Sequence, residues 1–227
     1  MYNKPLFYLI ILAFSATSAW GQKKGPNEVY GQIILSTSKP SIIKGSGYNK
    51  DGTKLMHADD PMAMPERNII VSCHPLDFEA ELPLTTDAYV TQKEQTFIPF
   101  VLPVVVGTTV YFVNEDQFFH NVYSNTPRSR FNIGRRPPGN SYGQKIDKTG
   151  PIKLSCDIHT HMNGIVLSLN TPYFTRADEK GQFSIANLPD GQYRLEVFDP
   201  ITQDIFAEII ELKGGKSLNK AINLNKP

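Results

Sequence analysis

The sequence has little net charge, few cysteines and no long apolar run, and each scarcity removes a class of protein. Its 23 Lys and Arg face 22 Asp and Glu, leaving +1 at neutral pH. A general nucleic-acid binder or an acidic scavenger needs a strong excess of one sign. Only Cys73 and Cys156 are present, and in an oxidising compartment two such residues ordinarily pair. The longest apolar run, Leu6 to Phe14, is about nine residues, too short to cross roughly 30 Å of hydrocarbon. No helical period of useful length, internal repeat or low-complexity tract is found. There is no nucleophile triad, paired-carboxylate cleft motif or phosphate loop, so the chain is not expected to be an enzyme.

What is present begins with a leader. Lys4 precedes the apolar run, and Ala19-Trp20-Gly21 offers small residues where a signal peptidase reads. Residues 1–21 are therefore expected to be a signal peptide. That makes the mature chain periplasmic or secreted, with no membrane span after cleavage. With 16 Gly, 17 Pro, 13 Phe and 10 Tyr, the composition suits short strands and tight turns. Period-2 alternation recurs in Tyr193-Arg194-Leu195-Glu196-Val197, Ile152-Lys153-Leu154-Ser155-Cys156 and Ile165-Val166-Leu167-Ser168-Leu169. Gly107-Thr108-Thr109 reads as a turn between Val104–Val106 and Val110–Val113. Two further strand-like runs, Val29–Ser36 and Asn68–Ser72, flank a polar loop. The expected fold is all-β, a sandwich or barrel.

The strongest local signal is Cys156-Asp157-Ile158-His159-Thr160-His161-Met162, lying between two alternating strands. Alternation puts Cys156 on the core face with Ile152 and Leu154. A loop folding back there aims Cys156, His159 and Met162 at one centre. A thiolate, an imidazole and a thioether select copper, whereas zinc rarely uses Met. A second imidazole is needed from a neighbouring strand. His120 supplies it, following strand Val110–Val113 and the polar stretch Asn114-Glu115-Asp116-Gln117. Two His and a Cys with a long axial Met make the electron-transfer copper geometry.

Cys-x-x-His-x-x-Met resembles the short ligand loop of the amicyanin-type cupredoxins. Phe97-Ile98-Pro99, the segment Gly107 to Asp116 and His120-Asn121-Val122 resemble plastocyanin-like domains, over residues 88–170. The resemblance implies a Greek-key cupredoxin sandwich. It also implies one copper ion held by His120, Cys156, His159 and Met162, and electron transfer with a redox protein such as a cytochrome. It makes Asn121 a residue whose hydrogen bonds tie the two ligand loops together. Two departures stand out: His161 competes with Met162 for the axial position, and Asp157 puts a charge in the loop. Copper storage, delivery or sensing remains an alternative. So does a structural cell-surface module without metal, joined by a Cys73–Cys156 disulfide.

The tail resembles another module. Asp178 to Ile185 and Leu188-Pro189-Asp190-Gly191-Gln192-Tyr193 to Val197 look like the second half of a carboxypeptidase regulatory-like (transthyretin-like) β-sandwich. Val29 to Leu35, Lys39-Pro40 and Ile69-Ile70-Val71 match its first half. The expected organisation is therefore a split sandwich of residues 22–84 and 171–227, with a cupredoxin domain of residues 85–170 inserted. Three further features have a functional and a plain reading. Met56, Met62 and Met64 are either a Cu(I)-delivery loop or a flexible insertion. Arg128, Arg130, Arg135 and Arg136 either dock an acidic partner or are simply solvated. Cys73, at the end of an apolar strand, is either a ligand or, as expected, a buried free thiol.

Overall fold

The computed structural model of the chain describes residues 25–34, 68–83 and 87–224. The expected leader, residues 1–21, and the Met56–Met64 segment lie outside the described residues. Alternating sequence becomes strand throughout: the described residues form sixteen strands and no α-helix. The chain is all-β. No helix among these residues is long and apolar enough to cross a membrane.

Two strands, β1 (Asn27–Ile34) and β2 (Ile70–Pro75), come first. Nine follow: β3 (Ala88–Lys93), β4 (Thr96–Ile98), β5 (Val101–Val105), β6 (Thr109–Asn114), β7 (Tyr123–Ser124), β8 (Phe131–Asn132), β9 (Ser141–Lys145), β10 (Gly150–Ser155) and β11 (Asn163–Leu169). The last five are β12 (Phe174–Arg176), β13 (Gln182–Leu188), β14 (Gly191–Phe198), β15 (Ile205–Leu212) and β16 (Ser217–Asn223).

These strands make four sheets. Two are built wholly from the middle nine, in the orders β4-β3-β6-β9 and β5-β11-β10-β7-β8. The other two, β13-β1-β16 and β12-β2-β14-β15, combine the first two strands with the last five. β1 runs antiparallel to β13 and parallel to β16, and β2 lies antiparallel between β12 and β14. Each pair of sheets closes on its own apolar core, because period-2 alternation gives every strand one apolar face. Val29, Val71, Cys73, Ile185, Leu188, Tyr193, Leu195 and Leu212 fill one. Val90, Phe97, Phe112, Val122, Ile152, Leu154 and Val166 fill the other, together with Cys156 and Met162.

A third apolar cluster joins the two bodies. Ile70 and Phe198 meet Phe100, Val101, Ile165, Leu167 and Leu169 there, with Phe174 packed alongside. The Arg176 guanidinium donates to the Val101 carbonyl across the same junction.

Candidate metal centre

The centre lies at one end of the middle sandwich, where the β10–β11 hairpin opens. These strands are in register from Gly150↔Ser168 to Ser155↔Asn163, and the intervening loop runs from Cys156 to Met162. Strand alternation continues one residue past β10, so Cys156 is 2% exposed, beside Ile152 and Leu154 at 2% and 1%. The second residue of the return strand is Gly164, where a Cβ would stand 3.1 Å from that of Phe97. A larger residue would push the loop off the core. The Met162 N–H donates to the His159 carbonyl at 3.0 Å, and the Met162 side chain is buried in the same apolar cluster as Cys156.

His120 arrives from the other sheet. Beyond β6 the chain turns, held by Asn114, which is fully buried. The Asn114 Nδ2 donates to the carbonyls of Phe118 and Arg136 at 2.9 and 3.1 Å. The His120 backbone then forms a bridge with Arg136. This fixes the His120 ring, with no exposed surface, against Cys156.

Three donor atoms converge here. The Nδ1 of His120 is 3.1 Å from that of His159 and 3.9 Å from the Cys156 Sγ. His120, Cys156 and His159 form a group whose ligand atoms all lie within 4.8 Å of one another. Both cysteines are free thiols, Cys73 in one sandwich core and Cys156 in the other.

His161 is outside the convergent group, with its ring 6.3 Å from that of His159. Asn121 is buried, but its Oδ1 has no hydrogen-bond partner. The expected tie between ligand loops through this oxygen is therefore not made, because the polar connections near His120 run through Asn114 and Asp116. Asp116 is the residue that sequence reasoning missed. Its Oδ2 lies 2.7 Å from the His120 Nε2, and its side chain is 8% exposed. An aspartate in a polar turn carries no signal of its own in sequence.

Burial pushes the Asp116 carboxyl up. Hydrogen bonds from the Gln95 N–H, His120 and the Glu94 N–H outweigh that, so the net shift is below its usual value. His159 is shifted below the ordinary imidazole range, first by desolvation and then by His120 and His161. Both shifts favour an anionic Asp116 beside a neutral His159. A carboxylate can only accept, so the His120 Nε2 donates to it, and in the neutral ring the Nδ1 is then a bare lone pair. That lone pair faces the His159 Nδ1 at 3.1 Å, a contact that requires a shared proton or a shared cation.

The sequence matches no known family, and no curated protein matches it. Solved structures similar to part of the chain include a purple cupredoxin from Nitrosopumilus maritimus, 24% identical over 37% of this chain and 100% of its own, with a TM-score of 0.34. Amicyanin from Paracoccus versutus is 21% identical over 39% of this chain and 86% of its own, with a TM-score of 0.35. A copper-containing nitrite reductase from Thermus scotoductus is 27% identical over 50% of this chain and 27% of its own, at a TM-score of 0.35.

Proposed function

We propose that the chain is an exported mononuclear copper protein of the type 1 kind that carries single electrons, with His120, Cys156, His159 and Met162 holding one ion. The observation that carries this reading is the convergence of two imidazole nitrogens and a thiol at one buried point. Donors sharing an ion at about 2.0–2.3 Å stand at most about 4.4 Å apart. The contacts at 3.1 and 3.9 Å satisfy that limit, and the group as a whole, spanning up to 4.8 Å, must close slightly to share an ion. The donor set is soft and matches copper better than zinc.

When bound, copper supplies a one-electron couple between Cu(I) and Cu(II). The chain's residues provide the rest. Cys156 and Met162 flank the ends of β10 and β11, and the His120 backbone is bridged to Arg136, so little need move when the charge changes. Burial of Cys156 and His120 keeps water from the donor atoms. His159 is half-buried, and Phe118, 39% exposed, packs edge-on against both imidazoles. The His159 edge is therefore the approach for a redox protein such as a cytochrome. On this reading the protein is a carrier rather than an enzyme, and works in the periplasm or outside the cell.

The same proposal covers the chain's organisation: a cupredoxin domain of residues 85–170 carried by a split sandwich of residues 22–84 and 171–227. The pairing of β1 with β13 and β16 supports it.

Metal analysis, a visible spectrum and potentiometry of the purified mature protein test the function. One copper per chain, a strong thiolate-to-copper band and a reversible couple are expected. Colourless, weak copper binding would instead indicate storage or delivery. A protein that takes no copper would end the proposal.

A further inference from the structure

The Asp116 carboxylate is held by a device that extends beyond the metal centre. β3 and β4 are joined by Glu94 and Gln95, whose φ angles are 51° and 56°. Lys93 pairs with Thr96 across them, so the connection is a two-residue hairpin turn with both central residues left-handed. Such a turn ordinarily takes Asn-Gly or a similar pair. Here neither residue is glycine, and both adopt a left-handed conformation that L-residues disfavour. In return, both turn N–H groups point at one carboxylate. The Glu94 N–H donates to Asp116 Oδ1 at 2.6 Å and the Gln95 N–H to Oδ2 at 3.0 Å. The Asp116 N–H itself donates to the Asn114 Oδ1 at 3.1 Å, which fixes the carboxylate's backbone. The remaining capacity of Oδ2 is directed at the His120 Nε2 at 2.7 Å.

We infer that Asp116 is the positioning residue of this centre: clamped by the Glu94–Gln95 turn, it locks His120 as the Nε2–H tautomer and thereby presents the Nδ1 lone pair to the site. Four consequences follow from the chemistry. The ring cannot rotate without breaking a hydrogen bond inside a buried, charged network. The proton cannot move to Nδ1, where it would block ligation. The negative charge, passed through the imidazole, makes Nδ1 a stronger donor, as outer carboxylates do for metal-bound histidines. An anion beside the centre also favours the more positive oxidation state of any ion held there. The first two consequences need no metal. The last rests on the copper reading above.

The experiment separates these layers. In the metal-free wild-type protein at neutral pH, long-range 1H–15N NMR of the histidine rings should show His120 with its proton on Nε2 and none on Nδ1. Asp116→Asn, nearly isosteric, sets an amide against the turn N–H groups and should give a mixed or inverted tautomer, as should Asp116→Ala. In the copper-loaded forms, both variants should bind Cu(II) 10- to 100-fold more weakly and have a higher reduction potential. A tenfold change in the ratio of Cu(II) to Cu(I) affinity is about 59 mV for one electron. A wild-type His120 protonated on Nδ1 overturns the inference, whether or not either variant folds. So does an Asp116→Asn protein with unchanged tautomer and potential. If the wild type binds no copper, the function proposed above fails while the tautomer measurement still decides the role of Asp116.

Discussion

Cys73 and Cys156 are both buried thiols, and their neighbours give them different chemistry. Cys73 is surrounded by apolar side chains in the sandwich core, where desolvation pushes its thiol up to about 12. Because the thiolate is the reactive form, native Cys73 should resist iodoacetamide at neutral pH and react only after denaturation, as read by peptide mass spectrometry. Cys156 instead faces two imidazole nitrogens. Those nitrogens also set a pH dependence. His159 is shifted below the ordinary imidazole value of 6.5, so the unfolded chain binds more protons than the folded one below that pH. Its contribution to stability is present above pH 6.5 and is lost as pH falls through the folded value. Asp116, shifted below 3.8, acts further down, its contribution lost as pH falls from 3.8 through its folded value. The urea midpoint of the metal-free protein should therefore drop on acidification from neutral pH toward 5, and His159→Gln should flatten that drop. At this scale the convergent group of His120, Cys156 and His159 was legible because Cys and His carry chemistry by type and the Cys156–His159 spacing across a hairpin is visible in the chain. Asp116 was not legible: its role depends on a ring and two turn N–H groups more than twenty residues upstream, which only the fold brings together.

The strands with one core-facing side were legible as elements, since alternation is a local signal. Within β14, Tyr193, Leu195 and Val197 are fully buried, as the alternation predicts. The buried Tyr193 hydroxyl donates to the Pro189 carbonyl at 2.8 Å, closing the turn before its own strand. The two-residue strands β7 and β8 escaped notice because they are too short to alternate. So did the β3–β4 turn, because Lys93-Glu94-Gln95-Thr96 contains none of the residues that mark one. That turn yields an element-scale prediction. Replacing Glu94 with Asn and Gln95 with Gly should relieve the left-handed strain and stabilise the protein by about 1 kcal/mol. The measurement is the urea midpoint against wild type. No gain would mean that the turn is not held at the described φ angles.

For the whole molecule, the two sandwiches share an apolar junction. Phe198, 3% exposed, packs there with Phe100, Val101 and Leu167. Truncating a buried phenylalanine costs about 3–5 kcal/mol. Phe198→Ala should therefore lower stability by an amount in that range, and by loosening the junction should split thermal unfolding into two transitions visible by calorimetry. A single transition at nearly wild-type temperature would show that the junction contributes little. The junction was not legible in sequence, because inward-facing and junction-facing apolar residues look identical along a strand. Ile165, Leu167 and Leu169 face the junction while Val166 between them faces the core that holds Cys156. β11 is buried on both faces for that reason, and its Ile165–Leu169 run, interrupted only by Ser168, only partly follows period 2.

All three scales meet at the thiol of Cys156, and titration of the metal-free protein with Cu(II), followed by visible absorption, tests the account most directly. The account predicts an intense thiolate-to-copper band that saturates at one equivalent in the wild type and is absent in Cys156→Ser. No such band at any copper concentration, or a band that survives in Cys156→Ser, would contradict it.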